Sequence, residues 1–159
     1  MLVKELARAF GAEATVDIER YTTAQARIDA VRSIVGGYGA DLVMDCSGHP
    51  TAGPEGIEFL RDGGTYVEMG QFTDAGSIMT SWHRICTKDI NLLGSWAFTA
   101  NDLPKGVAML HRARDRFPWS RMQTLFGFDE KAIADAIAAA SEMRAVKATI
   151  VPDRELCGI

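Results

Sequence analysis

Three strand-like runs of this sequence end in small residues that would let a flat ligand approach the backbone. The runs and their ends are 41–46 with Ser47-Gly48, 64–69 with Gly70, and 90–95 with Gly94-Ser95. Glycine permits such an approach because it carries no Cβ. Ligands of open parallel sheets bind beyond the carboxyl ends of the strands. Together the three ends predict a platform for a planar group, whereas each glycine alone is equally consistent with a simple turn.

Other residues with reactive side chains form weaker patterns. Asp45, Ser47 and His49 are suitable residue types for nucleophilic hydrolysis, but the G-x-S-x-G turn of such enzymes is absent from the sequence. His83 and Cys86 form an H-x-x-C pair that could supply two metal ligands, and no second pair accompanies them. We therefore predict no catalytic residue and no metal ligand within this chain.

Composition and charge exclude several classes of function. The 17 basic and 21 acidic residues give a net charge of -4, without the basic cluster that nucleic-acid binding requires. Apolar runs such as 136–140 are far shorter than the roughly 20 residues of a membrane span. Cys46, Cys86 and Cys157 are too few and too far apart for a disulfide framework or a zinc cluster. The sequence thus predicts a soluble, cytoplasmic protein without nucleic-acid or membrane partners.

Helix-like and strand-like segments alternate along the chain. Helical spacing of apolar residues predicts helices over 2–10, 24–35, 53–60, 102–117 and 130–143. Runs of apolar and β-branched residues predict strands over 14–18, 41–46, 64–69, 90–95 and 147–151. This alternation is typical of an α/β protein with a mainly parallel sheet and helices on both faces.

Five segments of the chain resemble the medium-chain, zinc-dependent alcohol dehydrogenase family. In chain order they are LARAFGA (6–12), GGYGADLVMDCSG (36–48), FLRDGGTYVEMG (59–70), KDINLLGS (88–95) and AVKATIVP (145–152). They keep the order of the family and extend over essentially the whole chain. The sequence is most similar to the threonine- or sorbitol-dehydrogenase-like members and to general zinc-binding dehydrogenases.

The resemblance implies a partial Rossmann-like fold, a doubly wound parallel sheet that lacks its first two strands. In the full strand order 3-2-1-4-5-6, the chain would supply strands 3, 4, 5 and 6. Residues 1–145 would form a partial dinucleotide-binding domain. Residues 146–159 would be a C-terminal strand and tail that join the catalytic domain of the full-length family.

The resemblance also implies which residues bind NAD or NADP. Residues at the three strand ends would line the nicotinamide half, and a lysine would approach the cofactor phosphates. The implied cofactor-binding residues are Cys46, Ser47, Gly48, Met69, Gly70, Gln71, Gly94, Ser95 and Lys147. The alternative for Lys147 is a solvated lysine, and His49 either touches ribose or substrate or is a turn residue.

The sequence departs from the family pattern in two respects. None of its 15 glycines belongs to a G-x-G-x-x-G motif, which places a helix N-terminus on the cofactor pyrophosphate. The family's zinc ligands belong to a catalytic domain that the chain lacks. We therefore expect the C-terminal cofactor-domain portion of an NAD(P)-dependent, zinc-type alcohol or polyol dehydrogenase. Its cofactor site would be incomplete, zinc would be bound only by the missing domain, and the chain alone would be inactive.

The missing strands would leave an open apolar edge along 41–46. Such edges favour pairing with another chain. We expect a homo-oligomer, a rearrangement, or association with a separately supplied N-terminal half. The alternative function is that of a non-enzymatic, truncated module for dimerisation or partner binding.

Overall fold

The computed structural model describes residues 2–72 and 74–152, which divide into two compact units. One unit contains residues 16–103, and the other contains the residues up to 15 together with those from 104 onward. Both units combine parallel strands with helices, so the predicted α/β class is confirmed. Cys157 and the predicted tail beyond residue 152 lie outside the described residues, and the domain boundary at 145/146 stays a prediction.

Six helices and five strands are present in the described part of the chain. In order they are α1 (Leu2–Ala9), α2 (Ala24–Ile34), β1 (Ala40–Asp45), α3 (Ala52–Phe59), β2 (Leu60–Glu68), α4 (Trp82–Thr87), β3 (Asn91–Gly94), α5 (Asp102–Arg112), β4 (Gln123–Phe126), α6 (Glu130–Ser141) and β5 (Lys147–Ile150). A 3-10 helix at Trp119–Met122 precedes β4. None of the helices described is long and apolar enough to cross a membrane.

The unit of residues 16–103 contains a parallel sheet with the strand order β1-β2-β3. This order is that of strands 4, 5 and 6 in the doubly wound arrangement. Ala40 pairs with Leu60, whereas Leu42 pairs with Thr65, so β2 contains extra residues opposite the start of β1. The segment 61–64 is therefore an irregularity within β2, which begins earlier than the strand predicted over 64–69.

The other unit contains a second, two-stranded parallel sheet of β4 and β5, which α6 connects. Asp129 begins α6 by accepting a hydrogen bond from the backbone N–H of Ala132 at 2.9 Å, as is usual for an N-cap. Phe10 stacks on Phe117 with the ring centroids 5.6 Å apart, and the Trp119 ring meets both edge-on. Strand β4 was not predicted, because its four residues carry no alternating pattern.

Residues 14–18 form no strand, which corrects the sequence-based prediction. A strand is stable only when its backbone is paired in a ladder, and none of the described strands pairs with this segment. Val16 and Ile18 instead line a surface cavity of about 480 Å³ together with residues of α2 and α3. Their apolar pattern is real, but the strand it would produce has no neighbour among the described strands.

Helix α5 ends at Arg112, five residues before the predicted end at Phe117. The carbonyl oxygen of Ala113 accepts hydrogen bonds from the backbone N–H groups of Arg116 and Phe117 and from Nε1 of Trp119, at 3.1, 3.3 and 3.0 Å. The bond from Phe117 keeps the helical spacing of four residues, whereas those from Arg116 and from the Trp119 side chain do not. The tryptophan side chain therefore helps to turn the chain where apolar spacing alone predicts further helix.

The core of the 16–103 unit depends on a buried lysine. Ile57, Leu60 and Tyr66 form its buried centre. Lys88, only 4% exposed, donates from Nζ to the carbonyl oxygens of Ile57 and Leu60 at 2.7 and 2.6 Å. A cation is favourable at these carbonyls because they belong to the C-terminal end of α3. Burial is the main cause that lowers the pKa of Lys88. The charge on Glu58 raises this pKa, and the charges of neighbouring basic groups lower it.

A surface ion pair reinforces the same end of α3. Arg84 donates from Nε and Nη2 to the two carboxylate oxygens of Glu58 at 2.8 and 2.7 Å. Arg32 also donates to the carbonyl oxygen of Glu58 at 3.0 Å. Hydrogen bonding from Arg84 is the main cause that lowers the pKa of Glu58. Helices α2, α3 and α4 are thus joined by polar contacts around the buried lysine.

We predict that Lys88→Met lowers the free energy of unfolding by about 2 kcal/mol, because two buried carbonyl oxygens lose their donor. Urea denaturation followed by circular dichroism measures this change. Lys131→Met is the matched control, since Lys131 is exposed on α6, and it should change stability by less than about 0.5 kcal/mol. Equal stability of the two variants would contradict the assigned role of Lys88.

Candidate functional site

The carboxyl ends of β1, β2 and β3 meet at one edge of the sheet. Asp45 pairs with Glu68, and Glu68 pairs with Gly94, so the three strands end level with one another. Every predicted site residue except Lys147 lies in the loops that follow these strands or, in the case of Gly94, at the end of β3 itself. Lys147 is the exposed first residue of β5 and belongs to the other unit. The predicted strand-end residues thus all belong to one unit, and Lys147 belongs to the other.

A buried tyrosine joins the ends of β1 and β2. The Tyr66 hydroxyl lies 3.2 Å from Oδ2 of Asp45 and 3.3 Å from Oε2 of Glu68, so its proton can be shared between the two carboxylates. Tyr66 is 2% exposed and Asp45 is 7% exposed. Burial, and then the charges of Asp45 and Glu68, raise the pKa of Tyr66 well above its usual range. The phenol therefore stays protonated and acts as a donor.

The remaining carboxylate oxygens fix the two loops. Oδ1 of Asp45 accepts hydrogen bonds from the backbone N–H and the hydroxyl of Ser47, both at 2.7 Å. Oε1 of Glu68 accepts from the backbone N–H groups of Gly70 and Gln71 at 2.9 and 3.2 Å. Each loop is consequently held by the acidic side chain of the strand that precedes it.

The same contacts show how Ser47 and His49 are engaged. The Ser47 hydroxyl donates to Asp45 and accepts from the backbone N–H of His49 at 3.2 Å. The His49 ring meets Thr51 instead, with Nδ1 2.8 Å from Oγ1. Because the hydroxyl donates to a carboxylate and not to the imidazole, the arrangement differs from a serine–histidine nucleophile pair.

Gly48 and Gly70 are required by the contact between their own loops. A Cβ on Gly70 would lie 2.6 Å from the backbone nitrogen of Gly48 and 2.8 Å from that of Ser47. A Cβ on Gly48, which has a φ of +68°, would lie 2.7 Å from the carbonyl oxygen of Gly70. These two glycines therefore have a packing role, whatever ligand the loops bind.

Gly94 is different, because no heavy atom beyond its own chain neighbours lies within 4 Å of the position that its Cβ would take. It lines an open cleft of about 260 Å³. The other lining residues are Glu68, Met69, Gln71, Ser95 and Trp96. Ser95 is fixed by donation of its backbone N–H to the carbonyl oxygen of Glu68 at 2.8 Å. Of the strand-end glycines, Gly94 is the one that leaves room for a ligand.

An aromatic pair at this edge was not predicted from the sequence. Phe72 and Trp96 stack with ring centroids 5.0 Å apart and ring planes 14° apart. Both side chains are largely exposed, Phe72 at 65% and Trp96 at 71%. The available signal was a repeated glycine-x-aromatic pattern, Gly70-Gln71-Phe72 and Gly94-Ser95-Trp96.

The residues present do not fit a zinc site. Within 2–72 and 74–152, no three His, Cys, Asp or Glu side chains come together in a way that could hold a metal ion. Cys46 and Cys86 are exposed free thiols. His83 and Cys86 lie on the short helix α4 without a third ligand. No chemical step of this chain is therefore assigned to zinc.

Comparison with known proteins identifies the family. Residues 3–112 match the model of the zinc-binding dehydrogenases. The chain is 31% identical over 86 residues to sorbitol dehydrogenase of Halalkalibacterium halodurans, covering 54% of this chain. It is 33% identical over 92 residues to erythritol/L-threitol dehydrogenase of Mycolicibacterium smegmatis, covering 57% of this chain.

The fold is that of the corresponding part of solved alcohol dehydrogenases. An alcohol dehydrogenase from Thermotoga maritima superposes with a TM-score of 0.79 at 25% identity, covering 94% of this chain and 40% of the solved chain. This chain spans 25% and 24% of the two curated relatives. The similarity is thus to one region of larger enzymes.

We predict that adding one methyl group lowers the free energy of unfolding at one strand-end glycine and leaves it nearly unchanged at another. Gly70→Ala should lower the free energy of unfolding by about 2 kcal/mol, since its Cβ would collide with backbone atoms of the neighbouring loop. Gly94→Ala should change it by less than about 0.5 kcal/mol, since its Cβ meets open space. Urea titration measures both variants. A Gly70→Ala protein as stable as Gly94→Ala would show that the loop contact is not tight.

Proposed function

The chain belongs to the zinc-binding dehydrogenase family, and we propose that it is the C-terminal cofactor-domain portion of an NAD(P)-dependent alcohol or polyol dehydrogenase of the cytoplasm. The observation that carries this proposal is the open cleft at Gly94. The cleft lies where ligands bind in doubly wound sheets, beyond the carboxyl ends of the strands. The predicted cofactor residues of all three strand ends would surround the nicotinamide half of NAD or NADP.

The cleft has the properties that a nicotinamide ring requires. The missing Cβ of Gly94 leaves space for a flat ring to lie against the backbone. Gln71 and Ser95 line the same cleft and offer amide and hydroxyl groups of the kind that bond a carboxamide. Met69 and Trp96 supply apolar surface for the ring itself. In this proposal, the chain orients the nicotinamide and excludes water from one of its faces.

The nicotinamide cofactor, when bound, supplies or accepts a hydride. The contribution of this chain to that chemistry is positional. Asp45, Glu68 and Tyr66 hold the loops from which Gln71 and the other cleft residues project. No residue of the chain is assigned to proton transfer.

We propose that the cofactor site of the isolated chain is incomplete and that the chain alone has no dehydrogenase activity. The sequence contains no G-x-G-x-x-G motif for the pyrophosphate. Only the nicotinamide half of the cofactor would then be bound here.

We predict that the isolated chain binds NADH weakly, with a Kd of about 1 mM. Reduced nicotinamide mononucleotide should bind with a similar Kd, because the adenosine half finds no site. Saturation-transfer NMR measures both ligands and reports which of their protons touch the protein. Micromolar binding of NADH, or transfer to the adenine protons alone, would contradict the proposal.

The matched variants for this measurement are Gly94→Ala and Gly106→Ala. Both glycines have open space at the Cβ position, but only Gly94 lines the cleft. Gly94→Ala should weaken NADH binding at least about fivefold, because the added methyl occupies the ligand's place. Gly106→Ala, on α5, should bind as the unchanged chain does.

An exposed apolar face supports the second proposal, that the chain associates with another chain. In the register of the sheet, Met44, Val67 and Leu93 form one row. Met44 is 54% exposed and Leu93 is 53% exposed, as is Leu42 on β1. Parallel sheets are normally covered on both faces. We propose that a second copy or a separately supplied N-terminal half covers this face.

We predict that light scattering of the purified chain gives a mass that increases with concentration. The double variant Leu42→Gln with Met44→Gln should reduce this association, because it makes the exposed face polar. The control is Ile137→Gln with Met143→Gln, since both side chains are exposed in the other unit. A monomer at all concentrations would reject self-association, and equal effects of the two double variants would reject this face as the contact.

A further inference from the structure

We infer that a second copy of the chain covers the apolar sheet face with its own helix α5. The sheet face consists of the exposed side chains of Leu42, Met44 and Leu93, and the covering surface is an apolar stripe along α5. This inference rests on the proposed association of the chain. It deepens that proposal, because it commits to a second copy and names the element that makes the contact.

Helix α5 carries an apolar stripe that its own chain leaves largely uncovered. Leu103, Val107 and Leu110 are spaced by four and three residues, so they lie on one side of the helix. They are 54%, 66% and 46% exposed, and α5 has no buried residue. A helix of 11 residues is marginal in water unless such a stripe packs against another surface. The stripe therefore favours contact with an apolar surface of another molecule.

The sheet face is a surface of the kind that helices cover. The opposite face is already covered, since Val43 and Tyr66 pack there with Ile57 of α3. Leu42 and Met44 alternate with Val43 along β1, so their side chains point away from α3, and they are 53% and 54% exposed. Parallel sheets normally have helices on both faces. A helix is thus the element that this face lacks in the described part of the chain.

The stripe and the sheet face have similar dimensions. From Leu103 to Leu110 the stripe extends over two turns, or about 10 Å at the rise of an α-helix. Met44 and Leu93 lie in one row on the two outer strands of the sheet, about 10 Å apart across two interstrand spacings. One helix can therefore contact both outer strands at once.

Pairing of α5 with α5 of another copy is less favourable than contact with the sheet. Coiled-coil pairing is typical of stripes that extend over roughly three or four heptads, and α5 has only 11 residues. The contact of one helix with a sheet is also small compared with stable protein interfaces, and small interfaces are transient. We therefore expect weak, concentration-dependent association, with a Kd of about 10 to 100 µM.

The test uses two variants that each lose one of the two surfaces. Leu42→Gln with Met44→Gln makes the sheet face polar, and Val107→Gln with Leu110→Gln makes the stripe polar while glutamine still favours a helix. Each variant alone should associate at least about tenfold more weakly than the unchanged chain. An equimolar mixture should regain association as a 1:1 complex, because the intact stripe of one variant meets the intact sheet of the other. Sedimentation velocity measures all samples.

Met109→Gln is the matched control on the same helix. Met109 is 50% exposed, but it lies about 100° or more around the helix axis from each residue of the stripe. Met109→Gln should therefore leave the Kd within about twofold, whereas Val107→Gln alone should weaken association at least about threefold. Circular dichroism of each variant confirms that the helix content is retained.

Two results would overturn the inference. One is association of the stripe variant as tight as that of the unchanged chain. The other is a mixture that associates no more than either variant by itself, which would show that the stripe of one copy does not meet the sheet of another. Failure of the proposed association has a different signature, because the unchanged chain would then be monomeric at every concentration.

Discussion

The arrangement of the strand ends depends on one hydroxyl group, that of Tyr66. It lies between the carboxylates of Asp45 and Glu68 in an almost fully buried position. Two neighbouring carboxylates repel each other, and a shared donor offsets that repulsion. With the repulsion offset, each carboxylate can use its other oxygen to hold the loop that follows its strand. The tyrosine therefore positions the cleft without lining it.

This network gives the strand-end glycines two different roles. Gly48 and Gly70 allow two loops to approach each other, and the carboxylates hold the loops at that separation. Gly94 has no close neighbour and instead leaves a gap beside the third strand. The interpretation from sequence alone gave all three glycines the same ligand-facing role, because the absence of a Cβ is visible in a sequence but the atom that approaches it is not.

The parts of the fold that could be predicted are those that local patterns determine. Thr23 caps α2, and the apolar run at 41–46 forms β1, which pairs with β2. The parts that were missed depend on distant contacts. Lys88 is charged and reads as a surface residue, but its Nζ is buried against carbonyls about 30 positions away in the chain. The Phe72–Trp96 pair likewise forms only when β2 and β3 lie side by side.

The unformed strand at 14–18 and the exposed side chains of Met44 and Leu93 have a common physical origin. Backbone hydrogen bonds and apolar side chains both require a partner surface, and the described strands leave the free edge of β1 and one sheet face without one. The three-stranded sheet is nevertheless held together, because Lys88 and the Tyr66 network satisfy its buried polar groups internally. A sheet stabilised in this way retains its cleft even where its outer surfaces are uncovered. We therefore expect the proposed cofactor binding at Gly94 to be measurable on the chain by itself, separately from any association through its apolar face.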